Sequence, residues 1–213
     1  MKMKIKYFRT FHLPWSLGNT SDDKVLASTE HFVGKEVIVT EKMDGENTTF
    51  MRDCYYARSL DSASHESQSF ARKFWSNIAY LIPKDFRIVL ENCYAEHSIK
   101  YDSLDSYLYG LSVWDKNNGL SWNDTLEYFD LLGITPAPIL YSGIWDEKLI
   151  KNIALDLDFT RQEGYVVRLA SSFKHEDSNV SIAKFVRKNH VNTSTHWKNK
   201  IVNPNKLKAR VDN

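Results

Sequence analysis

Short runs of Val, Ile, Leu and aromatic residues recur along this chain without a regular strand–helix alternation, and that pattern limits the folds open to it most. The runs cover residues 35–41, 48–51, 87–91, 107–114, 164–169 and 180–186, and their β-branched and aromatic content predicts strands. The first two flank the polar turn Asp44-Gly45-Glu46-Asn47. Between the runs lie three helical stretches. Phe70, Phe74, Ile78 and Leu81 share one face of a helix over 67–81. Ser121-Trp-Asn-Asp124 reads as a capping box, followed by Leu126, Phe129, Leu132 and a Gly133 stop. A third helix over 146–155 is expected to pack Leu149 and Ile153. Strands interrupted by helices in this irregular order predict an α+β domain with largely antiparallel sheets. Neither a Walker loop nor a Gly-x-Gly-x-x-Gly fingerprint is present, so a nucleotide would have to be held by another device.

Charge and composition remove several classes. A net charge of +1 argues against a uniformly basic nucleic-acid coat. The basic residues are nevertheless uneven: Lys184, Arg187, Lys188, Lys198, Lys200, Lys206, Lys208 and Arg210 follow one another with no intervening acid. Such a block suits a polyanion partner or, equally, a solvated tail. No apolar run approaches the roughly 20 residues that span a bilayer, so no membrane association is expected. The basic start is not followed by an apolar stretch, and no signal peptide is expected. Cys54 and Cys93 form neither a metal spacing nor a disulfide framework, which predicts a reducing, cytoplasmic setting. His65, His97, His190 and His196 also lack ligand spacing.

The chemistry concentrates at Glu41-Lys42-Met43-Asp44-Gly45, where the apolar strand Val37-Ile38-Val39 meets the turn. A lysine placed there can attack a phosphorus atom if it is neutral, and burial or a cationic neighbour would lower its pKa for that purpose. Lys-x-Asp-Gly alone would arise in roughly one chain in twenty of this length. Here it is followed in order by Arg58 in Tyr56-Ala-Arg-Ser-Leu60, and by Glu91 at the end of Arg87-Ile-Val-Leu-Glu. Next come Tyr107-Leu-Tyr-Gly-Leu-Ser-Val-Trp-Asp115, Glu163-Gly164-Tyr-Val-Val-Arg168 and Ile182-Ala-Lys184-Phe-Val-Arg-Lys188.

This ordered set resembles the covalent nucleotidyltransferase superfamily of DNA ligases, RNA ligases and capping enzymes. Within it the chain looks most like phage and bacterial ATP-dependent RNA ligases. Glu41 directly before Lys42, the stretch Tyr94-Ala-Glu-His-Ser-Ile-Lys-Tyr-Asp102, the run Lys184-Phe-Val-Arg-Lys-Asn-His-Val191 and the opening His12-Leu-Pro-Trp-Ser16 with Asp22-Asp23-Lys24 carry that likeness. The resemblance implies an ATP-grasp-like ligase adenylation fold over residues 1–190, followed by a basic C-terminal tail over 191–213. It also implies an intracellular, phage-like RNA-repair enzyme acting as a monomer.

By the same resemblance Lys42 would attack the α-phosphorus of ATP, and Lys184 would neutralise the α-phosphate during transfer. Glu41 would accept from the adenine amino group, and Tyr109 would stack on the purine, with Tyr107 and Leu111 on the same strand face. Asp44 and Gly45 complete the nucleotide-binding turn, and Arg58 and Glu91 would hold the ribose and the phosphate-facing network. Glu163 would be the carboxylate on the side of Mg²⁺, or of Mn²⁺ in its place. The family pattern carries a second lysine two positions after Lys184, where this chain has Val186, so Lys188, on the face of Lys184, or Arg187 is the expected substitute. The chain ends at Asn213, soon after these motifs, and an OB domain is not expected. RNA is the implied partner, as free ends, a nicked duplex or a DNA/RNA hybrid. A minimal DNA ligase, a capping-type enzyme and a non-catalytic end-binding module remain open alternatives.

Overall fold

The computed structural model describes residues 4–60, 65–188 and 202–209. The strands in chain order are β1 (Phe11–His12), β2 (Glu36–Glu41), β3 (Glu46–Phe50), β4 (Tyr55–Ala57), β5 (Phe86–Asn92) and β6 (Leu108–Asp115). They continue as β7 (Asn118–Gly119), β8 (Thr135–Pro136), β9 (Ile139–Ile144), β10 (Gly164–Leu169), β11 (Phe173–Lys174) and β12 (Ile182–Val186). The helices are α1 (Ser69–Ile78), α2 (Trp122–Leu132), α3 (Glu147–Asp156) and the short α4 (Ser178–Ser181).

Among the described residues the strands form two sheets. One has the order β1-β12-β10-β2-β9, and the other runs β11-β7-β6-β5-β3-β4 with β8 beside β6. Most pairings are antiparallel; β1 with β12 and β6 with β8 are parallel. The expected α+β class is therefore the observed one.

Alternation along the strands assigns the faces. Val37 and Val39 of β2, Tyr165 and Val167 of β10, and Ala183 and Phe185 of β12 join a core that includes Phe32, Trp145 and Ile150 of α3. The Phe32 and Trp145 rings stack at 4.8 Å, and the Tyr165 hydroxyl donates to the Ile150 carbonyl at 2.9 Å. Ile88 and Leu90 of β5 and Phe50 of β3 pack with Ala71 of α1 and Phe129 and Leu132 of α2. The opposite faces of the two sheets meet along a cleft.

Three helices stand where periodicity places them, with local differences. Short 3₁₀ turns, Glu66–Gln68 and Ala79–Leu81, flank α1. Ser121 caps α2 by accepting from the Asp124 amide, and Gly133 closes it in the left-handed region. In α3 the buried residue is Ile150, with Ile153 packed against the same core, while Leu149 is 40% exposed, which corrects its expected inward role. The run at 180–186 divides, because α4 takes its first residues and β12 starts at Ile182. Strand β9 was not expected: its exposed, Pro-flanked sequence lacks the apolar alternation that marks a strand. His190, His196, Lys198, Lys200 and Arg210 lie outside the described residues.

Phe129 is 1% exposed and lies against β6, so Phe129→Ala should cost about 3–5 kcal/mol. Urea unfolding monitored by tryptophan fluorescence would measure that loss.

Candidate active site

The ladder between β2 and β10 sets the site's geometry. Its register runs from Val37 opposite Leu169 to Glu41 opposite Tyr165, and one step further the Lys42 amide donates to the Gly164 carbonyl at 2.9 Å. Glu163 therefore arrives beside Lys42, with its Oε2 2.5 Å from Nζ. Gly164 is required at this crossing, since a Cβ there would lie 2.0 Å from the Phe185 carbonyl oxygen on β12. On the next strand Lys184 is opposite Val166, which is itself opposite Thr40. Two-residue periodicity thus lines up Thr40, Val166 and Lys184 on the cleft face.

The facing sheet supplies Asn47 of β3 and Glu91 of β5, which are cross-strand partners, and Leu111 of β6. The N-terminal residues Tyr7, Phe8, Arg9 and Thr10 form a further wall. Arg58 closes one side and donates to the carbonyls of Tyr7 and Phe8 at 3.4 and 3.5 Å. The enclosed volume is about 280 Å³. Beyond Glu91 and Arg58 the cleft continues past Lys6, Gly45 and His97.

Charge in the cleft is strongly coupled. Burial pulls the Lys42 ammonium down, but Glu163 and Glu91 push it up by more, so Lys42 is held charged. This overturns the expectation of a lysine depressed by burial or by a cation: the nearest partner is a carboxylate. Burial pushes the Glu91 carboxyl up from 4.5 to about 8, with Glu163 and Asp44 opposing the attraction of Lys42. Lys184 is lowered, by burial first and then by Lys42. Asp23 lies 3.8 Å from its Nζ and 3.4 Å from His12 Nε2. Burial also raises the Glu41 carboxyl, whose Oε2 accepts from Gln162 at 2.8 Å.

Glu41, Lys42, Arg58, Glu91 and Lys184 are thus brought to one cleft, with Glu163 against Lys42. Three expected residues, Tyr109, Asp44 and Lys188, are placed otherwise, and Gly45 lines only the continued cleft. Tyr109 is 3% exposed, packs with Met43, Ile99, Tyr101 and Leu104, and accepts through its hydroxyl from the Asp105 amide. A register shift in the β5–β6 pairing leaves Leu111 lining the cleft. Asp44 does not face the cleft: its Oδ2 accepts from the Ser98 amide, the Ser98 hydroxyl and the Ile99 amide at 2.7–2.8 Å. Gly45 serves close packing, because a Cβ would lie 2.4 Å from the Asn92 carbonyl oxygen. Lys188 is exposed two residues beyond the end of β12, so strand periodicity does not carry it to the face of Lys184.

Sequence reasoning missed Tyr7, Phe8, Asn47 and the cleft role of Arg168, and named Asp23 only within the Asp22-Asp23-Lys24 likeness. The Tyr7 hydroxyl, pushed up to about 12 by burial, lies near Arg168 and bonds Ser112. Arg168 donates to the carbonyls of Leu120 and Leu169 at 2.9 and 3.2 Å and lies over the Trp122 ring. Asn47 Oδ1 is buried and finds no donor among the described residues. Only the polar turn at 44–47 hinted at Asn47; the others depend on long-range chain crossings.

Comparison with known proteins follows the same outline. The model of the family described as RNA ligase matches residues 35–186. An archaeal ATP-dependent RNA ligase superposes with a TM-score of 0.56 at 15% identity, over 77% of this chain and 45% of that one. A Naegleria gruberi RNA ligase variant with ATP and Mn gives 0.52 at 16%, over 74% and 51%. An Aquifex aeolicus protein described as an ATP-dependent DNA ligase gives 0.51 at 21%, over 77% and 47%. At these identities the likeness is one of fold, and this chain spans about half the length of each. No curated protein sequence matches it. No helix among the described residues is long and apolar enough to cross a membrane.

The raised Glu91 carboxyl has a consequence for stability. Between pH 4.5 and about 8 the folded protein retains a proton that the unfolded chain has released, so stability falls as pH rises through that window. Glu91→Gln should flatten the decline, gaining on the parent at about pH 9 but not at about pH 5 in urea midpoints.

Proposed function

The chain belongs to the RNA ligase family, and from that premise we propose that it is an ATP-dependent RNA ligase acting through a lysyl–AMP intermediate on Lys42. One observation carries the reading: Lys42 and Glu163 meet at the edge of a cleft that also holds Glu41, Glu91, Arg58 and Lys184. The lysine must shed a proton before it attacks, and Glu163 Oε2 is the acceptor within reach. In the first step a bond forms between Lys42 Nζ and the α-phosphorus of ATP, the α–β bridging bond breaks, and pyrophosphate leaves. Lys184 faces the same cleft and stabilises charge on the phosphoryl oxygens. AMP then passes to a 5′-phosphate, and a 3′-hydroxyl displaces it to join the ends.

The base fits between Leu111 and Val166, with Glu41 as acceptor for the adenine amino group. Asn47 Oδ1, which lacks a donor among the described residues, suits a ribose hydroxyl. Glu163, together with the nucleotide's phosphates, would hold Mg²⁺ or Mn²⁺, since that metal uses few protein ligands and phosphate oxygens complete its shell. The metal supplies positive charge to the phosphoryl oxygens. The ATP and Mn of the Naegleria gruberi structure support that assignment. Lys6, Arg9 and Arg58 give the continued cleft a cationic rim suited to RNA phosphates, whether in free ends, a nicked duplex or a DNA/RNA hybrid. A monomeric, cytoplasmic repair enzyme of phage type fits this reading. The Aquifex aeolicus neighbour favours DNA sealing as a second reading.

Lys42→Arg retains a cation opposite Glu163 but cannot deprotonate, so it should fold normally and form no adduct with α-labelled ATP. A labelled adduct on that variant overturns the assignment of Lys42. Sealing of DNA nicks without sealing of RNA would move the chain to the second reading.

A further inference from the structure

The residues before the C-terminus form a clasp on the loop between β5 and β6. Backbone bonds run from the Glu96 amide to the Asn203 carbonyl and from the Asn205 amide to the Tyr94 carbonyl, both 2.8 Å. On the loop's other arm the Lys206 amide donates to Tyr101, Leu104 donates to Lys206, and Lys208 donates to Leu104, at 2.8–2.9 Å. Ala95 and Pro204 form one bridge, and Leu104 and Leu207 another. The segment is therefore paired to both arms of one loop.

Asn205 lies at the centre of the clasp and is 3% exposed. Its Nδ2 donates to the carbonyls of Cys93 and Ala95 at 2.8 and 3.3 Å, and its Oδ1 accepts from the Tyr101 amide at 2.9 Å. The Asn205 carbonyl also accepts from the Tyr107 hydroxyl at 3.0 Å. Two carbonyls and one amide fix the orientation of the side chain, and only a group that both donates and accepts can serve there.

The same loop holds the nucleophile's turn from its other side. Ser98 and Ile99 give three donors to Asp44 Oδ2, and the Asp44 amide donates to the Tyr101 hydroxyl at 3.0 Å. Tyr101 thus joins both halves, with its amide on Asn205 and its hydroxyl on Asp44, two residues after Lys42. We propose that Asn205 is a positioning residue that fixes the Asp44 turn, and through it Lys42, by way of Tyr101. The proposal rests on the reading of Lys42 as the adenylylated residue. It gives the C-terminal segment a part in the first chemical step, apart from any contact with RNA.

Asn205→Asp preserves size and loses both donors, placing carboxylate oxygens against two carbonyls. Tyr101→Phe keeps the ring and the amide bond to Asn205 but removes the acceptor for the Asp44 amide. Each variant is made in the full chain. Single-turnover formation of lysyl–AMP should slow roughly tenfold or more at saturating ATP, because small misplacements of a reacting group carry penalties of this size. The ATP concentration giving half-maximal rate should move less than about threefold, since the cleft residues are untouched. The double variant should be no slower than the more affected single one, as expected for groups acting in series. Independent slowing, with the two factors multiplying, overturns the proposal. So does an unchanged rate constant in Asn205→Asp.

Amide hydrogen exchange supplies a readout that does not depend on activity. In Asn205→Asp exchange should rise at Asp44, Ser98, Ile99 and Tyr101 while strands β2 and β10 keep their protection. A rise confined to residues 202–209, or one spread evenly over the molecule, overturns the coupling. If the unaltered protein forms no adduct with ATP, the reading of Lys42 fails, while the exchange result still decides whether Asn205 holds the turn.

Discussion

Where β2 and β10 run side by side, the last rung of the ladder places the Lys42 amide on the Gly164 carbonyl and the Lys42 ammonium against Glu163. The rest of the site depends on that rung. A slip of one residue would exchange the two faces of β2, turning Thr40 into the core and Val39 toward the cleft. Gly164 protects the register, because β12 passes too close for any side chain at that position. Removing two such charges from water costs several kcal/mol per ion and is only partly repaid by their attraction. The pair is better understood as fixing the position of the Lys42 ammonium than as a source of stability.

The second sheet matters mainly for what it aims at this pair. Glu91 and Asn47 are cross-strand neighbours, and the irregularity between β5 and β6 turns Leu111 toward the cleft. Beneath the turn that follows Lys42, Met43 packs with Tyr101 and Tyr109, so a buried aromatic layer supports the loop on which Lys42 sits. Tyr109 therefore contributes as support from below, and Leu111 and Val166 are aliphatic groups that the sheets present to the cleft. The N-terminal residues Tyr7 to Thr10 complete the cleft, pinned by Arg58 on one side and by contacts of Phe8 with Trp114 and His175 on the other.

Much of this was legible in the chain because it is local. Runs such as Val37-Ile38-Val39 and Arg87-Ile-Val-Leu-Glu91 carry their strand character in their own side chains, and the box at Ser121 with Gly133 marks both ends of α2. Residues that misled did so where local periodicity did not decide the outcome. Tyr109 was assigned to the cleft by alternation, and it does lie opposite Glu91, but Met43, Tyr101 and Leu104 from the adjoining loops cover it. Lys188 was assigned to the face of Lys184 by a strand that stops at Val186. Leu149 was counted as core although α3 presents Ile150 inward. The clasp at 203–208 was hidden for another reason: its Asn, Pro and Lys residues carry no pattern of burial, and its order comes from partners about a hundred residues away.

By itself, then, the sequence determined the α+β class, the order of the motif-bearing strands and the chemical character of Lys42, Glu91, Glu163 and Lys184. These properties follow from residue type and short-range periodicity, which each segment carries wherever the chain takes it. Tertiary structure alone decided that Lys42 meets Glu163 and is held charged, that Asp44 faces Ser98 and Ile99, that Tyr7 comes to the cleft and that Asn205 bonds the Tyr101 amide. Each of those outcomes depends on desolvation and on partners brought from distant positions, and a pKa or a hydrogen bond exists only once both partners are in place.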